Sequence, residues 1–575
     1  MFNSELYRSK VRKLVTRIAE RYGHHPAIEG WQIDNELGWA NTTRCYCEKC
    51  QIKFQSYLRE KYKTIDRLNR TYGSVFWSET YNDFSQVIVP YEGACYAADP
   101  EGTQGQNPSL VLDFDRFSSD SVISFMNEQI DVIRRYSDYP VTTNMLDAGV
   151  NSGTGIDYFK LSKTLDYAAW DNYLNFQWGI AEDAGVSRDH ALVRSYKHKP
   201  FWVMEQQAAA IGWSKLGSVP EPGQLRLWTY SSFANGAEIV LFFRWRSCLF
   251  GTEEYWNGIL SHDGKSNRRV QEIRRTGAEI ERLNQKLGLL MPVVKVAIMK
   301  SFDCEWSHKV HQHVEGFQYD QLLLDYYRAF YNLGIPVEFV SPDDDISCYK
   351  LVIAPALIMV SDSQKTNLEQ YIKNGGCLVL SFRSGIKTME NTMLPLTPPG
   401  VFEDMTGIVV DDYDPQYKKH TAVAGGFGSG ASGLWCDIIK PQTAKTLGVY
   451  TEHYYSGKPC LTENAYGEGT VYYLGCDLNE EAMKRFAQYL CHRNGIRMPI
   501  GAQDGVEIVP VTDGTQQAVF VMNHNSHTII VPVDGSFMEL IKGEVISGQI
   551  ELKSYDVAVL QKKESNSCDQ AEKCD

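Results

Sequence analysis

Short apolar runs alternate with longer polar segments along the first half of the chain. The runs are rich in Val, Ile and aromatic residues, and examples lie at residues 27–33, 140–146, 168–174, 200–206 and 237–245. Strands buried on both faces of a parallel sheet have this continuous apolar character, and each intervening segment is long enough for a helix. The pattern predicts parallel βα units over residues 1–291, as in a (β/α)8 TIM barrel.

A second alternating pattern begins near Pro292. Strand-like runs at 293–299, 336–340, 351–357 and 377–382 are separated by segments with helical spacing. This pattern predicts a Rossmann-like, doubly wound α/β domain over 292–499. No G-x-G-x-x-G motif follows a strand in this region, so a dinucleotide site is not indicated.

The pattern changes again near residue 500. Short runs of alternating apolar and polar residues, separated by Gly, Asp and Asn turns, predict a small antiparallel β domain over 500–563. The polar tail, 564–575, is predicted to be disordered.

Composition and charge exclude several classes of partner. A chain of 575 residues with 43% hydrophobic and 22% charged residues is a globular protein of two to four domains. Its net charge of −14, without runs of Lys or Arg, argues against nucleic acid and anionic membrane surfaces as partners. No window approaches 18 uninterrupted apolar residues, so no membrane span is expected.

The cysteines and the N-terminal segment indicate a reducing compartment. The first 25 residues are polar with helical spacing and lack the apolar core of a signal peptide. Most of the 14 Cys are scattered singly through strand-like or helix-like stretches, which favours reduced core thiols over a disulfide framework. A cytoplasmic location is the resulting expectation.

Two glutamates follow apolar runs at positions suited to sugar chemistry. Glu36 lies at the end of the run 27–33 and Glu205 at the end of the run 200–206, each with Trp residues nearby. Hydrolysis of a glycoside with retention needs one carboxylic acid to protonate the leaving oxygen and one carboxylate to attack the anomeric carbon. A single strand-end Glu is more often a solvated loop residue, but two in one barrel-like region, compatible with strands four and seven, predict a retaining glycosidase.

Several long motifs in the same order resemble those of glycoside hydrolase family 42 β-galactosidases. They are WQIDNE-x-G (31–38), C-x-C-x-x-C (45–50), LN-x-x-YGS-x-FWS (68–78), WDNY (170–173) and FFRWR…GTEEYWNGIL (242–260), and the resemblance extends to about residue 563. It implies that Glu36 is the acid/base and Glu205 the nucleophile in the removal of terminal β-D-galactose from oligosaccharides. It also implies no cofactor for catalysis, and a homotrimer to which the α/β domain contributes.

The resemblance further implies which residues contact or border the sugar. These are Asn35, Trp77, Asp171, Trp213, Phe243, Glu254 and Asn257. Asn257 stands where relatives commonly have His, so the preference could extend to α-L-arabinopyranosides. The register is open by one residue, since Glu253 could take the role of Glu254.

Three cysteines form a candidate metal site. Cys45, Cys47 and Cys50 could converge on one structural Zn²⁺, which normally takes four ligands. By the resemblance, the fourth ligand would lie about 44 residues before Cys45, and no Cys stands there in this chain. The alternative is a reduced thiol cluster without metal.

The start of the chain departs from the family pattern. If the run 27–33 is strand four, strands one to three of the barrel are absent from the sequence, because only 26 residues precede it. The open edges would expose unpaired backbone, so the chain expressed alone is expected to be inactive or aggregation-prone. Two alternatives therefore stay open: a non-catalytic carbohydrate-binding or assembly subunit, and a different retaining glycosidase.

Overall fold

The computed structural model describes residues 2–90, 106–146, 153–176, 179–180, 182–212, 217–417, 419–497 and 500–563. Two sequence-based expectations, the sugar contact of Trp213 and the disorder of the tail 564–575, lie outside the described residues. None of the described helices combines the length and apolarity needed to cross a bilayer.

The first part of the chain alternates helices with short strands, as predicted. Its elements are α1 Glu5–Tyr22, β1 Trp31–Gln32, α2 Glu48–Tyr62, α3 Ile65–Tyr72, α4 Pro108–Ile133, β2 Val141–Thr142, β3 Asn144–Met145, α5 Tyr158–Leu161, β4 Ala169–Asn172, β5 Asn175–Phe176, β6 Gly179–Ile180, α6 Asp183–Ser195, β7 Phe201–Gln207, α7 Gln224–Ala234, β8 Ala237–Phe243 and α8 Arg268–Leu287.

Strands β1 to β4, β7 and β8 pair in parallel and lie in chain order, whereas β5 and β6 form a separate antiparallel pair. β1 pairs with β2, and a second sheet has the order β3-β4-β7-β8. Since one residue separates β2 from β3, the two sheets form a continuous wall with helices outside it. Parallel strands joined by helices confirm the predicted βα units.

The wall has two open edges among the described residues. Among these residues β8 pairs with β7 on one side only, and β1 pairs with β2 on one side only. Apolar side chains of β8 are correspondingly accessible, and Leu241 is 46% exposed. Unpaired edges and accessible apolar residues of this kind favour association with other polypeptide.

The second part is an α/β unit built on a mixed nine-stranded sheet of order β11-β10-β12-β13-β20-β19-β18-β15-β16. The first five strands of that order are parallel, as predicted for a doubly wound domain, and the rest add an antiparallel extension. Its elements follow β9 Met291–Pro292 and are β10 Val296–Met299, α9 Phe302–Val310, α10 Tyr319–Tyr331, β11 Val337–Val340, β12 Leu351–Ala354, α11 Asp362–Lys373, β13 Cys377–Ser381, α12 Glu403–Thr406, β14 Ile408–Pro415, β15 Thr421–Gly425, β16 Gly428–Ser432, β17 Trp435–Pro441, β18 Lys445–Tyr450, β19 Pro459–Tyr466, β20 Gly469–Leu474 and α13 Glu480–Arg493.

The third part is a small antiparallel sheet of order β24-β23-β25-β22-β21-β9. Its later strands are β21 Val506–Thr512, β22 Gln517–Asn523, β23 Ile529–Glu539, β24 Glu544–Leu552 and β25 Val557–Lys562. β9, which directly follows α8, joins this sheet through β21, so the C-terminal unit packs against the barrel helices. The antiparallel β domain predicted from the alternating pattern is confirmed.

Two ion pairs, one buried and one partly buried, connect the barrel region to the α/β unit. Arg194 of α6 donates two hydrogen bonds to Glu338 of β11, at 3.0 and 2.8 Å. Arg116 of α4 makes a bidentate pair with Asp303 of α9, at 2.9 and 2.8 Å. Paired in this way, the charges satisfy each other in positions that water does not reach freely.

Candidate active site

Glu36 is positioned by the loop that follows β1. Ile33 is buried and its N–H donates to the carbonyl of Thr142 at 2.8 Å, which continues the strand pairing up to the loop. Asp34 and Glu36 then both adopt positive φ, 51° and 49°. Non-glycine residues rarely adopt this conformation, and they do so preferentially at functional sites. The backbone N–H of Glu36 donates to Asn144 Oδ1 at 3.0 Å, which fixes the loop to the neighbouring strand.

Glu205 lies within β7, near the carboxyl end of that strand. Its Cα is the partner of Asp171 on β4, and the pairing is irregular on both sides, with register shifts at Trp170/Asp171 and at Val203/Gln206. Bulges of this kind redirect side chains and are common beside active sites. Because the strands are parallel, their carboxyl ends bring Glu36, Asp171 and Glu205 to the same end of the wall.

The three carboxyl groups converge. One oxygen each of Glu36, Asp171 and Glu205 lies within 4.8 Å of the other two. Retaining glycosidases hold their two carboxyl groups about 5–5.5 Å apart, and inverting ones roughly 6.5–9.5 Å apart. The nearest oxygens of Glu36 and Glu205 are thus close enough to act on the same glycosidic bond, and their distance is compatible with the shorter of the two spacings.

The surroundings of Glu36 suit a general acid. Burial raises its pKa to about 7, and the negative charges of Glu205 and Glu253 contribute in the same direction. A carboxyl group with a pKa near neutrality can donate a proton at physiological pH and accept one afterwards.

The pKa of Glu205 is also raised overall, although its neighbours act on it in opposite directions. Burial raises its pKa, as does the charge of Glu253, whereas a hydrogen bond from Tyr173 and the charge of Arg244 lower it. The Tyr173 hydroxyl donates to Glu205 Oε2 at 2.5 Å. A short hydrogen bond to one oxygen stabilises the ionised form and holds the other oxygen in a defined direction.

Asn144 connects the residues of the site through its side-chain amide. Its Nδ2 donates to Asn35 Oδ1 at 3.0 Å and to Asp171 Oδ2 at 2.7 Å. Its Oδ1 accepts from Gln32 Nε2 at 2.9 Å as well as from the N–H of Glu36. Asn144 lies within the apolar run 140–146, and nothing in that pattern indicated the four hydrogen bonds that it makes.

The structure distinguishes the two adjacent glutamates whose register the sequence left open. Glu253 Oε2 accepts from Arg244 at 3.2 Å, and its charge acts on both Glu36 and Glu205. Glu254 is exposed, and its backbone carbonyl contacts His262 Nε2 at 2.7 Å. The geometry therefore favours Glu253 for the sugar-contacting role that the resemblance implied for Glu254.

The other residues that were expected to contact the sugar lie in different surroundings. Trp77 is 63% exposed and packs on Phe76, with ring centroids 4.9 Å apart. Phe243, at the end of β8, lies edge-on to Trp256 at 5.8 Å. The side chain of Asn257 accepts from Ser247 at 3.3 Å and donates to the Tyr255 carbonyl at 3.0 Å, so it stabilises its own loop.

The three cysteines converge as a metal site would require. The Sγ atoms of Cys45, Cys47 and Cys50 lie within 4.8 Å of one another, and no fourth ligand joins them among the described residues. The backbone N–H of Cys50 lowers the pKa of Cys47 to about 7, which favours a thiolate. The soft donor set fits three of the four ligands of a structural Zn²⁺.

Three family models match consecutive regions of the chain. The model described as β-galactosidase matches residues 1–283, that of the β-galactosidase trimerisation domain residues 294–497, and that of the β-galactosidase C-terminal domain residues 505–562. Together they cover nearly all of the residues that the structure describes.

Individual relatives give the same result. The β-galactosidase BgaA of Clostridium cellulovorans is 31% identical over 567 residues, which is 97% of this chain and 83% of that protein. The crystal structure of the β-galactosidase from Bacillus circulans sp. alkalophilus superposes with a TM-score of 0.91 at 29% identity, over 98% of this chain and 83% of that one. The β-galactosidase of the haloarchaeon Halorubrum lacusprofundi gives a TM-score of 0.88 at 31% identity, over 97% of this chain and 83% of that one. These likenesses confirm the predicted TIM barrel followed by an α/β domain and a small antiparallel β domain.

Proposed function

Because the chain belongs to glycoside hydrolase family 42, we propose that it is a β-galactosidase that removes terminal β-D-galactose with retention of configuration. The observation that carries the proposal is the convergence of Glu36 and Glu205, whose carboxyl oxygens lie within 4.8 Å of each other. Their different surroundings support Glu36 as the acid/base and Glu205 as the nucleophile.

The reaction proceeds in two displacements. In the first, a carboxylate oxygen of Glu205 forms a bond to the anomeric carbon while the bond to the leaving oxygen breaks and Glu36 transfers its proton to that oxygen. In the second, ionised Glu36 takes a proton from water, the water oxygen bonds to the anomeric carbon and Glu205 is released. Glu36 ends protonated, so no net proton is consumed by the protein.

Neighbouring residues support these roles. Tyr173 holds Glu205 in its attacking form, and Asn144 fixes the backbone of Glu36. Asn35, Asp171, Phe243, Glu253 and Trp77 are proposed to surround the galactose, with Glu253 in place of Glu254. The side chain of Asn257 is engaged within its own loop, which gives no support to a preference for α-L-arabinopyranosides.

Assembly, metal and location are further parts of the proposal. A homotrimer is supported by the match to the β-galactosidase trimerisation domain over residues 294–497. Structural zinc at Cys45, Cys47 and Cys50 is supported by their convergence; it would cross-link the start of α2 to the preceding loop and take no part in hydrolysis. A cytoplasmic setting is supported by the cysteines of the described residues, none of which forms a disulfide.

The catalytic assignment is tested by rescue with azide, on protein expressed from the whole gene. Glu205→Ala is expected to lose at least about 10³-fold in kcat on nitrophenyl β-D-galactoside, because no nucleophile remains. Azide should restore turnover and give α-galactosyl azide, whereas Glu36→Ala with azide should give the β-anomer. Exposed Glu281 of α8 provides the control, since Glu281→Ala should leave kcat unchanged. The same azide anomer from both variants would contradict the assignment.

A further inference from the structure

Asp171 is a third acidic group in the site, and neither displacement step uses it. It lies on β4 between Asn144 of β3 and Glu205 of β7, and only 8% of its surface is exposed. Its carboxyl group is within 4.8 Å of both catalytic carboxyls. A buried acid so close to two others must have a defined protonation state for the site to work.

The two oxygens of Asp171 differ in their partners. Oδ2 accepts a hydrogen bond from Asn144 Nδ2 at 2.7 Å. Oδ1 is buried and has no hydrogen-bond partner among the described residues. A buried polar oxygen without a partner is costly, and at an active site it is commonly satisfied by the substrate.

The charged groups around Asp171 are mainly acidic. Glu36 faces it from the loop after β1 and Glu205 from β7, while the nearby hydroxyl of Tyr173 is committed to Glu205. The cation of this region, Arg244, is paired with Glu253 at 3.2 Å. Among the described residues no Lys or Arg forms an ion pair with Asp171.

Protonation of Asp171 removes its electrostatic repulsion with the other two carboxyl groups. Glu205 must be ionised to attack, and it has the Tyr173 hydrogen bond to stabilise that charge. Burial and the charges of Glu205 and Glu36 raise the pKa of Asp171 well above its usual value. If Asp171 were ionised too, its charge would make ionisation of Glu205 harder at the pH where Glu36 is still an acid.

We propose that Asp171 is a neutral carboxylic acid in the resting site and that its Oδ1 donates a hydrogen bond to a hydroxyl group of the bound sugar. The sugar contact rests on the proposed glycosidase function, whereas the neutral state does not. The acid supplies a donor inside a strongly acidic site without adding a negative charge. It thereby lets one site bind hydroxyl groups and keep Glu205 ionised at the same pH.

The neutral state is tested by substitution with an isosteric, uncharged residue. Asp171→Asn keeps a donor in nearly the same place, so kcat/KM should stay within about tenfold of the unsubstituted protein. The alkaline limb of its pH–rate profile, which reports the ionisation of Glu36, should keep its position. Asp171→Leu, which has similar size and no donor, should lose more than about 100-fold. A shift of the alkaline limb to lower pH in Asp171→Asn would show that the charge of an ionised Asp171 had been removed, and would overturn the proposal.

A second readout does not depend on activity. The infrared difference spectrum of the unsubstituted protein minus Asp171→Asn should contain the carbonyl stretch of a protonated carboxylic acid at neutral pH. A carboxylate band in its place would overturn the neutral state. If the protein fails to hydrolyse galactosides but shows the protonated band, the proposed function fails and the neutral state of Asp171 stands.

The sugar contact is tested with galactosides that lack one hydroxyl group at a time. One deoxy substrate should have a lower kcat/KM than its parent galactoside in the unsubstituted protein. In Asp171→Leu the same two substrates should have nearly equal kcat/KM, because the substitution and the missing hydroxyl remove the same hydrogen bond. Losses that add for every deoxy substrate would show that Asp171 contacts none of these hydroxyl groups.

Discussion

At the scale of single residues, Glu36 and Glu205 differ because their neighbours differ. Glu36 is partly buried, the charges of Glu205 and Glu253 act on it, and its carboxyl group accepts no hydrogen bond among the described residues. Glu205 is also partly buried and near Glu253, but it accepts a hydrogen bond from the hydroxyl of Tyr173. This hydrogen bond is the difference that we expect to separate a proton donor, Glu36, from a nucleophile, Glu205.

The pH dependence of turnover should report this difference. Because Glu36 must be protonated and its pKa is about 7, kcat/KM for a galactoside with a poor leaving group should fall as pH rises through about 7. Glu253→Gln removes a charge that raises the pKa of Glu36, so the alkaline limb should move to lower pH. The measurement is a pH–rate profile of each protein, and an unmoved limb in Glu253→Gln would contradict the electrostatic account.

Sequence could predict Glu36 and Glu205 as the candidate pair, and hence their convergence, because each stands at the end of an apolar run within a long family motif. It could not identify Tyr173 as the partner of Glu205, since that contact depends on how two strands lie side by side. The choice between Glu253 and Glu254 was open for the same reason: a one-residue shift in a loop decides which side chain faces Glu36 and Glu205.

At the scale of elements, the predicted strands and helices were correct in type and order, but their ends were not. The run at 200–206 continues as strand to Gln207, and register shifts on both sides of it are invisible in a single sequence. A bulge arises from the fit between neighbouring strands, whereas apolar periodicity describes one strand alone.

Glu507 shows how an element of the C-terminal sheet is attached to the barrel helices. It lies fully buried on β21, where it accepts hydrogen bonds from Ser187 of α6 and Ser231 of α7, at 2.7 and 2.8 Å. It also pairs with His524 of the same sheet, at 3.1 Å. Its carboxylate therefore connects two helices of the barrel to the small β domain.

Removal of this carboxylate should destabilise the protein strongly. Glu507→Ala removes the buried acceptor of hydrogen bonds from Ser187, Ser231 and Asn235 and the partner of His524, which is expected to cost about 3–5 kcal/mol. Urea unfolding followed by fluorescence measures the change. Glu551→Ala, at an exposed position of β24, is the matched control and should change stability by less than about 0.5 kcal/mol. Equal stability of the two variants would show that Glu507 does not join the domains.

At the scale of the whole molecule, the three predicted units are present, but they interlock. β9 follows the last barrel helix and belongs to the C-terminal sheet, whereas a boundary drawn from the sequence separates them. Arg194 and Glu338 join the barrel to the α/β unit in the same way. Such contacts between distant segments have no local sequence signal, so domain order could be predicted but domain packing could not.

The central claim is that Glu205 attacks the sugar directly, with Glu36 close enough to protonate the leaving oxygen. The most direct test is proton NMR of the anomeric signal during the first moments of galactoside hydrolysis, before mutarotation mixes the anomers. The carboxyl oxygens of Glu36 and Glu205 lie within 4.8 Å of each other. From this spacing we predict that β-galactose forms first and that α-galactose appears later. α-Galactose as the first product would mean inversion and would contradict the account.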